Sequence, residues 1–153
     1  MHKGLILWMM LLFFTGQAFA QKINKNSATG QWLTANNECI VEIYEEGDKL
    51  FGKFVWFKEP YDEKGNLLKD TENPDPANRN RLLLGMTFMF GFKWDGKNKW
   101  TDGKIYNPQD GKTYSAQLSI KEPEKLHLRG YFAIPALGRT EEWIRYKSDN
   151  LPK

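Results

Sequence analysis

The amino-acid sequence predicts an all-β protein: a single antiparallel eight-stranded up-and-down barrel, preceded by an export signal. Three observations carry this expectation. Apolar and polar residues alternate with period two through most of the chain after residue 20. Turn signals interrupt that alternation every eight to twelve residues. No stretch shows convincing amphipathic-helix periodicity beyond a turn or two near Asn78 to Leu84.

Residues 1–20 read as a cleaved signal peptide. His2 and Lys3 give a short basic start, Leu5 to Phe14 is an almost unbroken apolar run, and Ala18-Phe19-Ala20 supplies small residues for cleavage. The run is about half the roughly twenty residues a membrane span needs. No cysteine stands at the cleavage point to take a lipid. Processing is expected to leave Gln21 first, residues 21–153 as one domain, and the product periplasmic or secreted. Losing Lys3 leaves 21 basic side chains against 19 acidic, a net of +2. Such a balance lacks the basic stripe of a nucleic-acid binder. Cys39 has no second cysteine to pair with, so packing must hold the fold.

Gly30 to Leu33 forms the first short strand. Glu38 to Glu45 follows, with Cys39, Val41 and Ile43 on one face, and Gly47-Asp48 turns it tightly into Lys49 to Phe57. Thr87 to Trp94 alternates so that Phe88, Phe90, Phe92 and Trp94 share a face. Asp95 to Asn98 turns the chain into Lys99 to Tyr106, and Asn107 to Gly111 turns it again. In Lys112 to Lys121, Tyr114, Ala116, Leu118 and Ile120 alternate with polar residues. Lys125 to Phe132 and Arg139 to Tyr146 complete eight strands. Closing them into a barrel removes two exposed sheet edges, and eight strands enclose room for packed side chains or one small ligand.

Lys58 to Asn80 is the one long connection, and loops of that length are commonly lids or binding loops. Its acids Asp70, Glu72 and Asp75 invite a calcium reading. On the EF-hand template, however, Pro74 takes a ligand position, Asp75 the glycine position and Arg81 the place of the bidentate glutamate. A proline-locked cap, its acids paired with Arg79 and Arg81, fits better.

Catalytic constellations are thin. His127, the sole histidine after processing, alternates with Leu126 and Leu128 and so faces away from the core. There is no Gly-x-Ser-x-Gly elbow, zinc signature or phosphate-cradling glycine loop. Neither an enzyme nor a cofactor is expected. The unusual feature is aromatic: five Trp, six Tyr and seven Phe remain after processing. If the barrel is hollow, Phe54, Trp56, Phe88, Phe90, Tyr114 and Tyr131 are candidates to line an apolar pocket. Arg79, Arg81 or Arg129 would meet an anionic head group at its mouth.

The ordered motifs then become recognisable: Gly30-x-Trp32, Val41-Glu42-Ile43-Tyr44, Gly52-Lys53, Asp70-x-x-Asn73-Pro74-Asp75-Pro76, Arg81-x-Leu83-x-Gly85, Trp100 through Pro108, Gly111-Lys112-x-Tyr114, Leu128-Arg129-Gly130-Tyr131 and Gly138-Arg139-Thr140-x-x-Trp143-x-Arg145. Together they resemble the bacterial family catalogued as domain of unknown function 2147, over essentially the whole region after residue 20. The resemblance implies an exported protein with a lipocalin-like (calycin-type) barrel and no assigned activity. Gly30-x-Trp32, with an arginine on the last strand, is also similar to the lipocalin arrangement in which that arginine packs over the tryptophan. Arg145 is the expected partner and Arg139 the second choice, with a structural role. Asp70, Asn73 and Asp75 are expected to be structural as well. The function expected is binding of a small apolar or amphipathic molecule in the barrel. A packed domain acting through its surface is the alternative.

Overall fold

The computed structural model describes residues 22–148, so the expected signal peptide lies outside the described residues. Eight strands run β1 Gly30–Leu33, β2 Cys39–Glu46, β3 Lys49–Phe57, β4 Thr87–Trp94, β5 Lys99–Asn107, β6 Lys112–Glu122, β7 Lys125–Tyr131 and β8 Arg139–Arg145. Each pairs antiparallel with the next, and β8 returns to β1 through Trp32↔Arg145 and Leu33↔Ile144, closing the barrel. The expected strand boundaries hold to within a residue or so, because each lies at a turn whose Gly, Pro, Asn or Asp cannot continue the ladder.

One half of the barrel is packed solid. Trp32, Val41, Ile43, Phe92, Trp100, Leu118, Ile120 and Leu126 are all at most 1% exposed there. Residues 22–29 fold across this end and are tied down by side chains. Trp32 Nε1 donates to the Ala28 carbonyl at 2.9 Å, and Trp100 Nε1 to that of Lys25 at 3.2 Å. The Arg145 guanidinium lies 4.1 Å from the Trp32 ring centroid and donates to the Ser27 and Thr29 carbonyls at 2.8 and 3.1 Å. Gly30 is required beside it: its φ is +111°, and a Cβ would come within 3.2 Å of Arg145 Nη1.

Bulges in β3 and β4 break the simple alternation and correct two assignments. In β3, Val41 faces Phe54 and Ile40 faces Trp56, so Val55 is an extra residue. Phe54 and Phe57 therefore both point inward, their ring centroids 5.0 Å apart. Trp56 stands opposite Ile40, on the face away from the Val41–Phe54 pair. In β4, Gly91 takes φ +73°. Phe88 and Phe92 stay buried, while Phe90 turns out beside Lys104 and is 38% exposed. The helical turn expected near Asn78 to Leu84 lies earlier, as a 3-10 turn over Pro76–Asn78. Asp75 caps it by accepting from Ala77 N at 3.0 Å, and Pro76 supplies the first helical φ.

Candidate functional site

The other half of the barrel is hollow. A cavity of about 1040 Å³ opens between the β1–β2, β5–β6 and β7–β8 turns and the connection formed by residues 58–86. Its inner wall is apolar: Phe54 and Phe88 stack with centroids 3.9 Å apart and planes 6° from parallel, joined by Ile105, Leu128 and Trp143. A row of small residues crosses β7, β6 and β5, and Gly130 of that row lines the cavity. Gly130 pairs with Ala116, and Ala116 with Gly103. The Phe92 ring seats on Gly103, where any Cβ would collide with it.

Polar side chains gather on the turns around the mouth, among them Asn36, Glu38, Lys58, Glu59, Gln109 and Asp110. Arg139, Glu141 and Trp143 alternate along β8 and all line the cavity. Trp143 Nε1 donates to Glu141 Oε2 at 3.1 Å. Cys39 also lines the cavity, and burial pushes its thiol pKa up, with the Glu38 and Glu141 charges adding to that and a Thr34 contact opposing it. The thiol is held neutral, the opposite of what a nucleophile needs. At the rim, Tyr114 Oη donates to Asp110 Oδ2 at 2.5 Å. That bond holds the carboxyl below its ordinary pKa and the phenol above its own.

Of the residues singled out from sequence, Phe54, Phe88, Tyr114 and Tyr131 line the cavity. Trp56 and Phe90 do not, because the two bulges turn them outward. None of the three candidate arginines lines the cavity, and each bonds elsewhere. Arg79 Nε donates to the Asn73 carbonyl at 2.8 Å, and Arg81 Nη2 to Asp70 at 2.7 Å. Arg129 donates to the Pro135 and Ala136 carbonyls at 2.7 and 3.2 Å, and to Thr140 Oγ1 at 2.7 Å. Arg139, the second choice for the Trp32 partner, lines the cavity instead. Sequence reasoning missed Phe57, Leu68, Cys39, Glu141 and Trp143 as wall residues. The usable signal was the inward alternation of residues 139, 141 and 143 on β8. His127, as expected, faces outward, its Nε2 3.1 Å from Glu142.

The connection over the mouth is locked by Asp70, whose side chain is fully buried. Asp70 accepts from Tyr106 Oη at 2.6 Å, Asn73 Nδ2 at 2.7 Å and Arg81 Nη2 at 2.7 Å. Burial works against its charge, yet these three donors outweigh it and pull the carboxyl below its ordinary pKa. Burial and the same carboxylate raise the Tyr106 phenol to about 12. Asn73 Oδ1 accepts from Asp75 N at 2.9 Å, which makes the whole Asp70–Asp75 motif a self-bonded unit. Gly111 completes the lock: its φ is +68°, and a Cβ there would collide with the Glu72 carbonyl. Leu68, two residues before Asp70, is thereby held against the cavity. The cluster is centred on the Asp70 carboxylate with Arg81 as its cation, and among the described residues no group of three or more His, Cys, Asp or Glu is placed to hold a metal.

With this geometry in view, comparisons with known proteins are informative. No curated protein sequence matches the chain. A solved structure that does match is that of protein HP1028 from the human pathogen Helicobacter pylori, described as belonging to the lipocalin family. It is 26% identical, with a TM-score of 0.69 over 79% of this chain and 84% of that one. The likeness agrees with the closed eight-stranded barrel described above. A family model also matches residues 30–145, from the glycine under Arg145 to Arg145 itself. The chain therefore belongs to DUF2147, the family described as uncharacterized protein conserved in bacteria.

Proposed function

We propose that the protein is an exported carrier that holds one small apolar or amphipathic molecule in the open half of its barrel. The observation that carries this reading is the contrast between the halves. One is filled by tryptophan, phenylalanine and leucine, whereas the other keeps about 1040 Å³ free behind an apolar wall. That volume is at the upper end of small-molecule sites, which combine mostly apolar walls with a few placed polar groups. Charged side chains line the cavity from its turns (Glu38, Lys58, Glu59, Asp110) and from β8 (Arg139, Glu141), so an amphipathic ligand would lie with its polar end at the mouth. The proposed role is binding rather than catalysis: Cys39 is held neutral, Asp70 is enclosed by donors, and Glu141 is bonded to Trp143.

Native mass spectrometry of the protein purified from its source tests this reading. A reproducible small-molecule adduct, lost on denaturation, is expected; repeated preparations that are ligand-free throughout would count against it. Export is tested by sequencing the amino terminus of the same material, which is expected to begin at Gln21.

A further inference from the structure

Among the described residues, nine large apolar side chains are exposed, and seven of them belong to the two loops that flank the cavity mouth. Four come from residues 58–86. The other three form a projecting tip between β7 and β8: Phe132 is 61% exposed, Ile134 52% and Leu137 79%. Residues 132–137 read Phe-Ala-Ile-Pro-Ala-Leu, six consecutive apolar residues that are all exposed. Single exposed apolar residues are ordinary, but a contiguous set marks an interaction site.

The tip is built to hold its shape. Arg129 reaches up from β7 and bonds the Pro135 and Ala136 carbonyls and the Thr140 hydroxyl. Pro135–Leu137 is a 3-10 turn, and Gly138 lets the backbone pass so close that a Cβ would lie 2.6 Å from the Gly130 carbonyl. A preorganised apolar tip loses little freedom when it docks. Phe132 and Leu137 belong to both the tip and the cavity wall, so the apolar surface of the tip reaches the cavity.

We propose that this tip inserts into the surface of a lipid bilayer and brings the cavity mouth to the membrane. The inference rests on the carrier reading, because it supplies a source from which an apolar ligand can enter without crossing water. A protein partner fits less well. The six residues carry no polar side chain, whereas protein interfaces hold about one hydrogen bond per 100–200 Å². Insertion into the headgroup and acyl boundary needs only apolar area, with basic residues near the phosphates. Arg139 stands on β8 at the base of the tip, and Arg129 on β7 bonds the tip's own carbonyls; of the acids that line the cavity, Glu141 is bonded to Trp143 and Glu38, Glu59 and Asp110 lie on other turns.

The test uses the chain from Gln21 onward, which contains every strand of the barrel, and its Ile134→Asp/Ala136→Asp variant. Both substituted side chains are outside the cavity wall. Co-sedimentation with vesicles of mixed phosphatidylcholine and phosphatidylglycerol is measured beside titration with N-phenyl-1-naphthylamine, a neutral apolar probe, in the absence of lipid. The native tip is expected to pellet with vesicles and the variant to lose about tenfold or more in affinity, with probe binding equal in both. Vesicle binding by neither chain, or equally by both, overturns the proposal. So does a native chain that self-associates without pelleting while the variant is monomeric, since the tip would then be an interface between copies. If the tip dependence appears but neither chain takes the probe, docking stands and the carrier reading fails.

Discussion

The Tyr106 hydroxyl donates to Asp70 Oδ1 across 2.6 Å, joining strand β5 to the long connection over the cavity mouth. Two further donors, Asn73 and Arg81, converge on the same buried carboxylate. Asp70→Ala removes the shared acceptor and leaves all three unpaired, so it is predicted to cost about 3–5 kcal/mol. Tyr106→Phe removes one bond to a charged group and is predicted to cost about 1.5–3 kcal/mol. Urea denaturation of the two variants checks both the size and the order.

The same bond sets a pH dependence at both ends of the scale. The Asp70 carboxyl titrates below its ordinary value of 3.8 in the folded state, so its contribution is present above that value and is lost as pH falls through the lowered folded pKa. The Tyr106 phenol is raised from 10.0 to about 12, so its contribution is complete below pH 10 and disappears as pH rises toward about 12. Denaturation midpoints compared across that alkaline window should fall more steeply for the native chain than for Tyr106→Phe. Parallel curves would show that the phenol does not titrate in this way.

At the closed end, Arg145→Ala removes both the guanidinium over Trp32 and its bonds to the Ser27 and Thr29 carbonyls. A loss of about 2–4 kcal/mol is predicted, combining a desolvated cation–π contact with the carbonyl bonds. Arg145→Lys keeps the charge but not the planar fork, and should recover only part. Thermal unfolding reads the stability. Probe binding in the folded variants should be unaffected, because the cavity lies at the other end.

Phe88 and Phe90 are predicted to behave oppositely although two residues apart on one strand. Phe88 is stacked on Phe54 in the cavity wall, so Phe88→Ala should cost about 3–5 kcal/mol and alter probe affinity. Phe90 is 38% exposed, and Phe90→Ala should cost about 1 kcal/mol or less and leave the probe unaffected.

That pair also shows what was legible in the sequence. The eight strands were, because alternation and turn chemistry are local signals. So was the pairing of Trp32 with Arg145, through the resemblance. Which aromatic residues face inward was legible only where pairing is regular. Val55 and Gly91 each shift the phase, and the resulting bulges invert Trp56 and Phe90. No local rule placed them, since a bulge depends on what the partner strand offers. As ligand-binding candidates the arginines failed for a different reason. Arg81 takes the acid pairing expected of the proline-locked cap, with Asp70, whereas Arg79 and Arg129 reach backbone carbonyls that sequence does not single out. Glu141 was visible only as one acid among many until β8 set it between Arg139 and Trp143.

The central claim is that the open half of the barrel is a binding cavity, and titration with N-phenyl-1-naphthylamine tests it most directly. Leu128 lines that cavity opposite Glu141 in the β7–β8 ladder, so Leu128→Trp would fill the space from within. The native chain should bind one probe per barrel, saturably and with blue-shifted emission, and folded Leu128→Trp should not. Absence of saturable binding, or equal binding by native and filled barrels, would contradict the account.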